Sequence, residues 1–265
     1  QLPTALALGS FDGLHGGHRK VIEAITNNSI GVPTVVSFWP HPREVLYGES
    51  RLRLDLPSEK AELLYPLGVK QLVLIPFNKS LASMNADIFI KEILIETLQA
   101  KHIAVGENFR FGKNRQGDAK ALNKIATSYG IKVSIIEMLE DINGRMSSSR
   151  IRLALQEGNL EYAKELMGRS YKFRGKVSKG RGLGKTIGWP TANLKVNGRK
   201  FLPALGVYAC WAIIDQNPEK FPAIMNLGPQ PTIDPNSLSA VEVHFLDQKI
   251  NLTNKDLIID KTEFF

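Results

Sequence analysis

Gly9-Ser10-Phe11-Asp12-Gly13-Leu14-His15-Gly16-Gly17-His18 is the stretch on which the reading of this chain turns. The apolar run Ala5 to Leu8 precedes it and the helix-like run Arg19 to Ile25 follows it. Strand, glycine-rich turn and helix in that order build a corner that handles phosphate. The backbone N–H groups of the turn and the positive end of the helix both favour negative charge. Two histidines three residues apart can aim ring nitrogens at one phosphate. Hydrolytic metal sites also use paired histidines, usually with a nearby acid or a third ligand, so at this point both readings stand.

Working outward, Pro33 to Phe38 reads as a second buried strand, and the pair with its helix forms a βαβ unit with parallel pairing as the default. Pro40-His41-Pro42 breaks that strand into a loop. Helices are expected over Ser58 to Leu67, with Ser58 as N-cap, over Met84 to Leu98 and over Asp118 to Tyr129. Strands are expected at Val69 to Ile75, His102 to Gly106 and Ile131 to Ile136. This alternation predicts a doubly wound α/β sheet, in which ligands sit beyond the carboxyl ends of the strands. The loops at 9–18, 39–44 and 106–117 should therefore converge. In the third loop, Asn108, Phe109 and Phe111 stand between Gly106 and Gly112. The two Phe read either as core packing or as a planar ligand surface. Arg145-Met146-Ser147-Ser148-Ser149-Arg150-Ile151-Arg152 opens another helix. Its hydroxyls are N-caps or, with the arginines, a polyphosphate clamp. A helix from Asn159 to Met167 closes this region.

After Gly168 helical periodicity stops. Strand-like runs at Tyr171 to Val177, Gly206 to Ile214, Phe221 to Leu227, Ala240 to Leu246 and Leu257 to Ile259 predict a small antiparallel barrel. Two domains follow, 1–168 and 169–265. Gly180-Arg181-Gly182-Leu183-Gly184-Lys185-Thr186 fails the P-loop spacing, since position 179 is Lys, and reads as another phosphate loop or a flexible hairpin. Thr191 and Asn193 offer neutral oxygens suited to Mg²⁺ on a nucleotide, or form a turn with an Asx cap. In Glu242-Val243-His244 the strand period places Glu242 and His244 on one face. Glu242 is then a candidate general base, against the commoner case of a solvated strand carboxylate.

The chain of 265 residues is 43% hydrophobic, which supports sizeable cores. It contains no apolar run of the roughly 18 residues a membrane span needs. With no secretory leader read at the start and Cys210 the single cysteine, a cytoplasmic protein is expected. The net charge of +8 points to anionic partners, and no Asp or Glu occurs from Leu166 to Ile214. That window is a solvated basic face, a nucleic-acid surface or a site for phosphorylated small molecules. Its glycines and lack of regularly spaced aromatics favour the last.

The motifs together resemble a known family. Gly9-x-Phe11-Asp12-Gly13-x-His15-x-Gly17-His18 resembles the signature of HxGH nucleotidyltransferases, and Ser147-Ser148-x-x-Ile151-Arg152 their second phosphate motif. Gly175-x-Val177, Gly180, Gly184, Pro190-Thr191-Ala192-Asn193, Gly206-Val207-Tyr208, Asn226-x-Gly228-x-x-Pro231-Thr232 and Glu242-x-His244 resemble the flavokinase module. In this order they resemble the bacterial bifunctional riboflavin kinase/FAD synthetases over nearly the whole chain. The resemblance implies a Rossmann-like N-terminal nucleotidyltransferase domain and a C-terminal flavokinase barrel. It implies phosphorylation of riboflavin to FMN, adenylyl transfer from ATP to FMN, and Mg²⁺, with small-molecule substrates and neither nucleic acid nor membrane as partner. By the match, His15, His18 and Glu242 are catalytic. Gly9, Phe11, Asp12, Gly17, Ser147, Ser148, Arg152, Gly180 and Gly184 bind ATP and its phosphates, Asn108 and Phe109 face the flavin, and Thr191 and Asn193 hold the metal. Met146 stands where the family usually has Ile. The family barrel continues into a C-terminal helix, whereas this chain stops at Thr262-Glu263-Phe264-Phe265, so a kinase half with either a shortened or a diverged terminus is expected. Two other readings remain: a basic nucleic-acid-binding protein without ATP turnover, and a nucleotidyltransferase with a different acceptor.

Overall fold

The computed structural model describes residues 2–27, 30–49, 52–178, 191–215, 217, 219–228, 238–246 and 255–264. By contact the chain divides into two units. One joins Gln1–Arg51 with Pro57–Ser147, and the other joins Leu52–Leu56 with Ser148–Phe265.

The first unit is a parallel sheet of β1 (Thr4–Leu8), β2 (Val32–Trp39), β3 (Gln71–Pro76), β4 (Ala100–Gly106) and β5 (Lys132–Ile136), in the order β3-β2-β1-β4-β5. β1 is buried on both faces, as its unbroken apolar run requires. Leu6 and Leu8 join Val36, Ile103 and Val105 on one face, with Phe89, Leu94 and Leu122 packed over them. Ala5 and Ala7 join Val35 and Ala104 on the other, under Val21, Ile22, Ile25 and Leu64. The period of two thus sends alternate residues into two cores, each covered by helices. The chain leaves β1 for β2 and β3 on one side and then crosses to β4 and β5 on the other. That reversal is where open α/β sheets bind ligands. The loops at 9–18, 39–44 and 106–117 leave β1, β2 and β4, which are neighbours in the sheet.

Several helix starts differ from expectation, as a helix at Pro42 in the expected loop and a start at Ala86 in place of Met84 show. α1 is Gly16–Thr26, so Gly16, Gly17 and His18 form its first turn and His15 is its N-cap. α2 is the short Pro42–Tyr47, and α3 begins at Pro57 and ends at Leu64, so Ser58 lies inside the first turn. A proline is suited to that position because the N–H it lacks has no helical partner there. Phe89–Thr97 is helical but widened to π winding, with the Leu98 N–H on the Ile93 carbonyl five residues back. Its residues Phe89, Ile90 and Leu94 still face the core.

The second unit is a closed antiparallel barrel. Its strands are β6 (Phe173–Ser178), β7 (Thr191–Asn197), β8 (Gly206–Ile214), β9 (Lys220–Leu227), β10 (Leu238–Phe245) and β11 (Asp256–Phe264), in the order β6-β7-β10-β9-β8-β11. β11 returns to β6 through Phe173↔Ile259 and Gly175↔Leu257, so the sheet has no free edge. Alternation is strict in β8 and β9: Tyr208, Cys210, Ala212 and Phe221, Ala223, Met225 are buried between less buried neighbours. Burial raises the Cys210 thiol pKa to about 12, which makes it an inert core residue. β7 replaces the turn considered for 191–193. It pairs with β10 from Thr191↔His244 to Asn197↔Leu238 and with β6 on its other side, so its backbone is satisfied as strand.

Helices Ser148–Gln156 and Leu160–Met167 belong to this unit, where the Ala204 N–H meets the Leu155 carbonyl at 2.8 Å. So does Leu52–Leu56, far away in sequence. Arg53 exchanges backbone bonds with Arg199 and Phe201, both at 2.7 Å. Lys200 Nζ and the Tyr171 hydroxyl both donate to the Leu54 carbonyl, at 2.6 and 3.1 Å. Arg169 pairs with the buried Asp55 carboxylate at 2.8 Å.

Candidate active sites

The first cluster grows from the end of β1. The Gly9 N–H is still in the sheet, bonded to the Val36 carbonyl at 3.2 Å. The chain then turns sharply: Phe11 and Leu14 hold φ of 46° and 48°, and Gly13 holds 84°. Phe11, Asp12 and Leu14 are buried, so packing fixes a backbone that unsupported side chains avoid. His15, the N-cap of α1, makes no side-chain capping bond, and the first turn of the helix holds no acidic residue. The positive end of the helix faces the turn, where it favours negative charge.

The two histidines meet here. Their rings stack at 3.7 Å between centroids and 24° between planes, and Phe11 lies 5.3 Å from His18. Nδ1 of each is buried without a hydrogen-bond partner. Such atoms are rare in a folded protein, and an incoming oxygen would satisfy them. Burial, then Arg145 and Arg19, lowers the His15 pKa to about 4. Burial, then His15 and Lys60, holds His18 well below the usual histidine range. Both rings are therefore neutral at pH 7, each with one N–H to donate. An anion beside them opposes the burial term and draws in a proton.

Gly16 and Gly17 make this approach feasible. A Cβ on Gly16 would stand 2.7 Å from Leu139 Cδ2 and 2.9 Å from Met146 Sδ. One on Gly17 would stand 3.2 Å from His15 Cε1. Met146, the unusual residue in its motif, thus rests on the helix start, and its N–H bonds the Leu139 carbonyl at 2.9 Å.

In the loop after β4, the Phe109 N–H closes a turn on the Gly106 carbonyl at 2.9 Å, and Asn108 is exposed. Phe109 stacks on Phe111 at 5.6 Å and 17°. Phe111 is buried in the core, while Phe109 is only partly covered. His41 is occupied: its Nδ1 accepts the Arg43 N–H at 3.1 Å and caps α2.

The second phosphate motif divides between the units. Ser147 ends the first, and Ser148 and Arg152 open the second. Within the second unit Arg152 donates to the carbonyls of Ser148 and Leu52, at 3.2 and 3.3 Å, and lies 5.8 Å over the Phe201 ring.

In the barrel, register aligns Asn193 with Glu242 and Glu242 with Asn226 across three neighbouring strands. Thr191 stands opposite His244 two residues along. Val241, Val243 and Phe245 point into the barrel, so the Asn193–Glu242–Asn226 row lies on its outer face, with Glu242 exposed. Gly180 and Gly184 lie outside the described residues. Neutral amide oxygens beside one carboxylate are hard donors of the kind Mg²⁺ takes, together with phosphate oxygens.

Lys60 was missed. It is buried in α3 with its Nζ 2.6 Å from the Ser10 carbonyl, inside the turn that carries the histidines. A signal was present: Lys60 stands four residues before Leu64, on the same buried helix face. A lysine on an apolar stripe needs a partner at its tip.

Comparison with known proteins gives the family of each half. Residues 1–150 match the FAD synthetase family and residues 167–265 the riboflavin kinase family. A bifunctional riboflavin kinase/FMN adenylyltransferase of Escherichia coli K12 is 33% identical over 256 residues, covering 95% of this chain and 81% of that protein. One from Pseudomonas fluorescens is 32% identical over 256 residues, with coverage of 95% and 81%. A crystal structure described as a macrolide-efflux protein from Streptococcus pneumoniae superposes with a TM-score of 0.86 at 28% identity, over 99% of this chain and 86% of that one. Among the described residues no helix is long and apolar enough to cross a membrane. With the two family matches falling in order on the parallel sheet and on the barrel, the chain belongs to the bifunctional riboflavin kinase/FMN adenylyltransferase family.

Proposed function

We propose that this chain makes FMN from riboflavin in its barrel and FAD from FMN at the β1–α1 corner, using ATP in both steps, with residues 1–168 and 169–265 as the two functional domains. What carries the reading is the stacked His15–His18 pair, with orphaned ring nitrogens, at an uncapped helix start beyond β1.

In adenylyl transfer an FMN phosphate oxygen attacks the α-phosphorus of ATP, and the bond from that phosphorus to pyrophosphate breaks. The nucleophile is already anionic, so no strong base is needed. Charge stabilisation and in-line positioning are needed instead. Neutral His15 and His18 donate hydrogen bonds to the phosphate oxygens and become more basic as negative charge gathers. Gly9, Phe11, Asp12 and Gly17 shape the turn around the nucleotide. Ser147, Ser148 and Arg152 hold the β- and γ-phosphates, and Asn108 and Phe109 face the flavin. A removed donor of this kind typically costs about 3 kcal/mol of barrier.

In the kinase step the ribityl 5′-hydroxyl is neutral. Glu242 takes its proton as the oxygen bonds the γ-phosphorus and ADP leaves. Gly180 and Gly184 cover the phosphates. Thr191 and Asn193 would hold Mg²⁺, which offsets phosphate charge when bound. The substrates are small molecules, the setting is the cytoplasm, and neither nucleic acid nor membrane takes part.

The test is incubation with ATP, Mg²⁺ and either riboflavin or FMN, with flavins separated by chromatography. FMN and FAD are expected from riboflavin, and FAD from FMN. Neither product, together with salt-dependent retention of RNA, would replace this reading by nucleic-acid binding through the basic window at 166–214.

A further inference from the structure

The turn that carries the two histidines is held from behind. Two donors from different elements converge on the Ser10 carbonyl: Lys60 Nζ from α3 at 2.6 Å and Ser37 Oγ from β2 at 3.3 Å. Ser10 immediately precedes Phe11, whose φ of 46° is in the left-handed region. The Phe11 ring is packed on Gly9, where an added Cβ would meet it at 3.2 Å, and lies 5.3 Å from the His18 ring. A continuous set of contacts therefore runs from the Lys60 ammonium through the Ser10 peptide and Phe11 to His18. A lysine at 7% exposure is expensive to bury, and a surface salt bridge could have held α3 at lower cost. Its cationic charge is also felt at His18, which it makes harder to protonate.

We propose that Lys60 is a positioning residue for adenylyl transfer: its ammonium, fixed on the Ser10 carbonyl, sets the turn that aims His15 and His18 and places a fixed positive charge behind them. Lys60 acts through the turn, with no contact to the reacting atoms required. Misplacing a catalytic group by about 1 Å can cost on the order of 100-fold in rate. Loss of the clamp should thus appear in kcat and leave KM for ATP nearly unchanged, because ground-state binding draws on many other groups. The inference rests on the adenylyl-transfer reading given above.

The experiment compares wild type, Lys60→Met and Lys60→Arg in FAD formation from FMN and ATP, with thermal unfolding of each. Wild type that forms no FAD removes the function reading itself. Given active wild type, the expected result for Lys60→Met is a fall in kcat of about 10- to 100-fold, KM for ATP within about threefold, and a melting transition that stays above the assay temperature. Lys60→Arg, which keeps the charge and a donor, should restore at least a third of wild-type kcat. Four results overturn the proposal: Lys60→Met with kcat within twofold of wild type, a rise in KM at unchanged kcat, no rescue by arginine, or a loss of activity that only accompanies unfolding.

Discussion

His15 should destabilise the first unit as the pH falls, by an amount set by its burial. Its folded pKa is about 4, against an ordinary value of 6.5, so the unfolded chain binds the proton more tightly. The stabilisation from keeping it neutral is fully present above the unfolded pKa and is lost as pH falls through 6.5 toward 4. The shift of about 2.5 pKa units corresponds to roughly 3 kcal/mol at the acid limit, and to about 2 kcal/mol between pH 8 and pH 5. The perturbation is His15→Asn, which keeps a polar group but cannot titrate. Urea unfolding of both proteins at pH 8 and pH 5 gives the double difference, and NMR of the His15 Cε1–H reports its pKa directly. We expect wild type to lose about 2 kcal/mol more than the variant over that interval. Adding ATP should move the resonance's midpoint upward, since the triphosphate favours the charged ring, and ATP binding below pH 6 should take up protons. A His15 midpoint near 6.5 in the folded protein, or equal pH losses in the two proteins, would refute the argument that burial keeps the pair neutral.

Three further outcomes are expected. Glu242→Gln should abolish FMN formation from riboflavin while FAD formation from supplied FMN continues; a joint loss of both would show that the two sites are not separate. Asp55→Ala should destabilise the barrel by roughly 3–5 kcal/mol, because it strips the partner from Arg169 in a buried pair, and this would register as a lower urea midpoint for the barrel transition. Unchanged barrel stability would remove residues 52–56 from that unit. EDTA should stop both reactions and added Mg²⁺ should restore them, read by the same chromatography; turnover in EDTA would exclude Thr191 and Asn193 as ligands of a required metal.

The sequence by itself determined the class of each half. Hydrophobic period is a local property, so the buried run Ala5 to Leu8, the helices after it, and the alternation in Gly206 to Ile214 could be read directly. The His15-x-x-His18 corner was legible for the same reason: turn, glycines and helix start are contiguous. Strand Thr191–Asn197 was not, because its polar residues take strand geometry only through the ladders that β6 and β10 supply from either side. The tertiary structure alone decided what joins across long separations. It brought Lys60 under Ser10, set Asn193, Glu242 and Asn226 in one lateral row, and drew Leu52–Leu56 into the barrel unit against Lys200 and Tyr171. It also decided the charge of the histidines. A spacing of three shows that two rings can meet, but whether they carry protons depends on desolvation by the residues folded around them. That burial comes from Phe11 and neighbouring elements packing together, and no window of the sequence contains it.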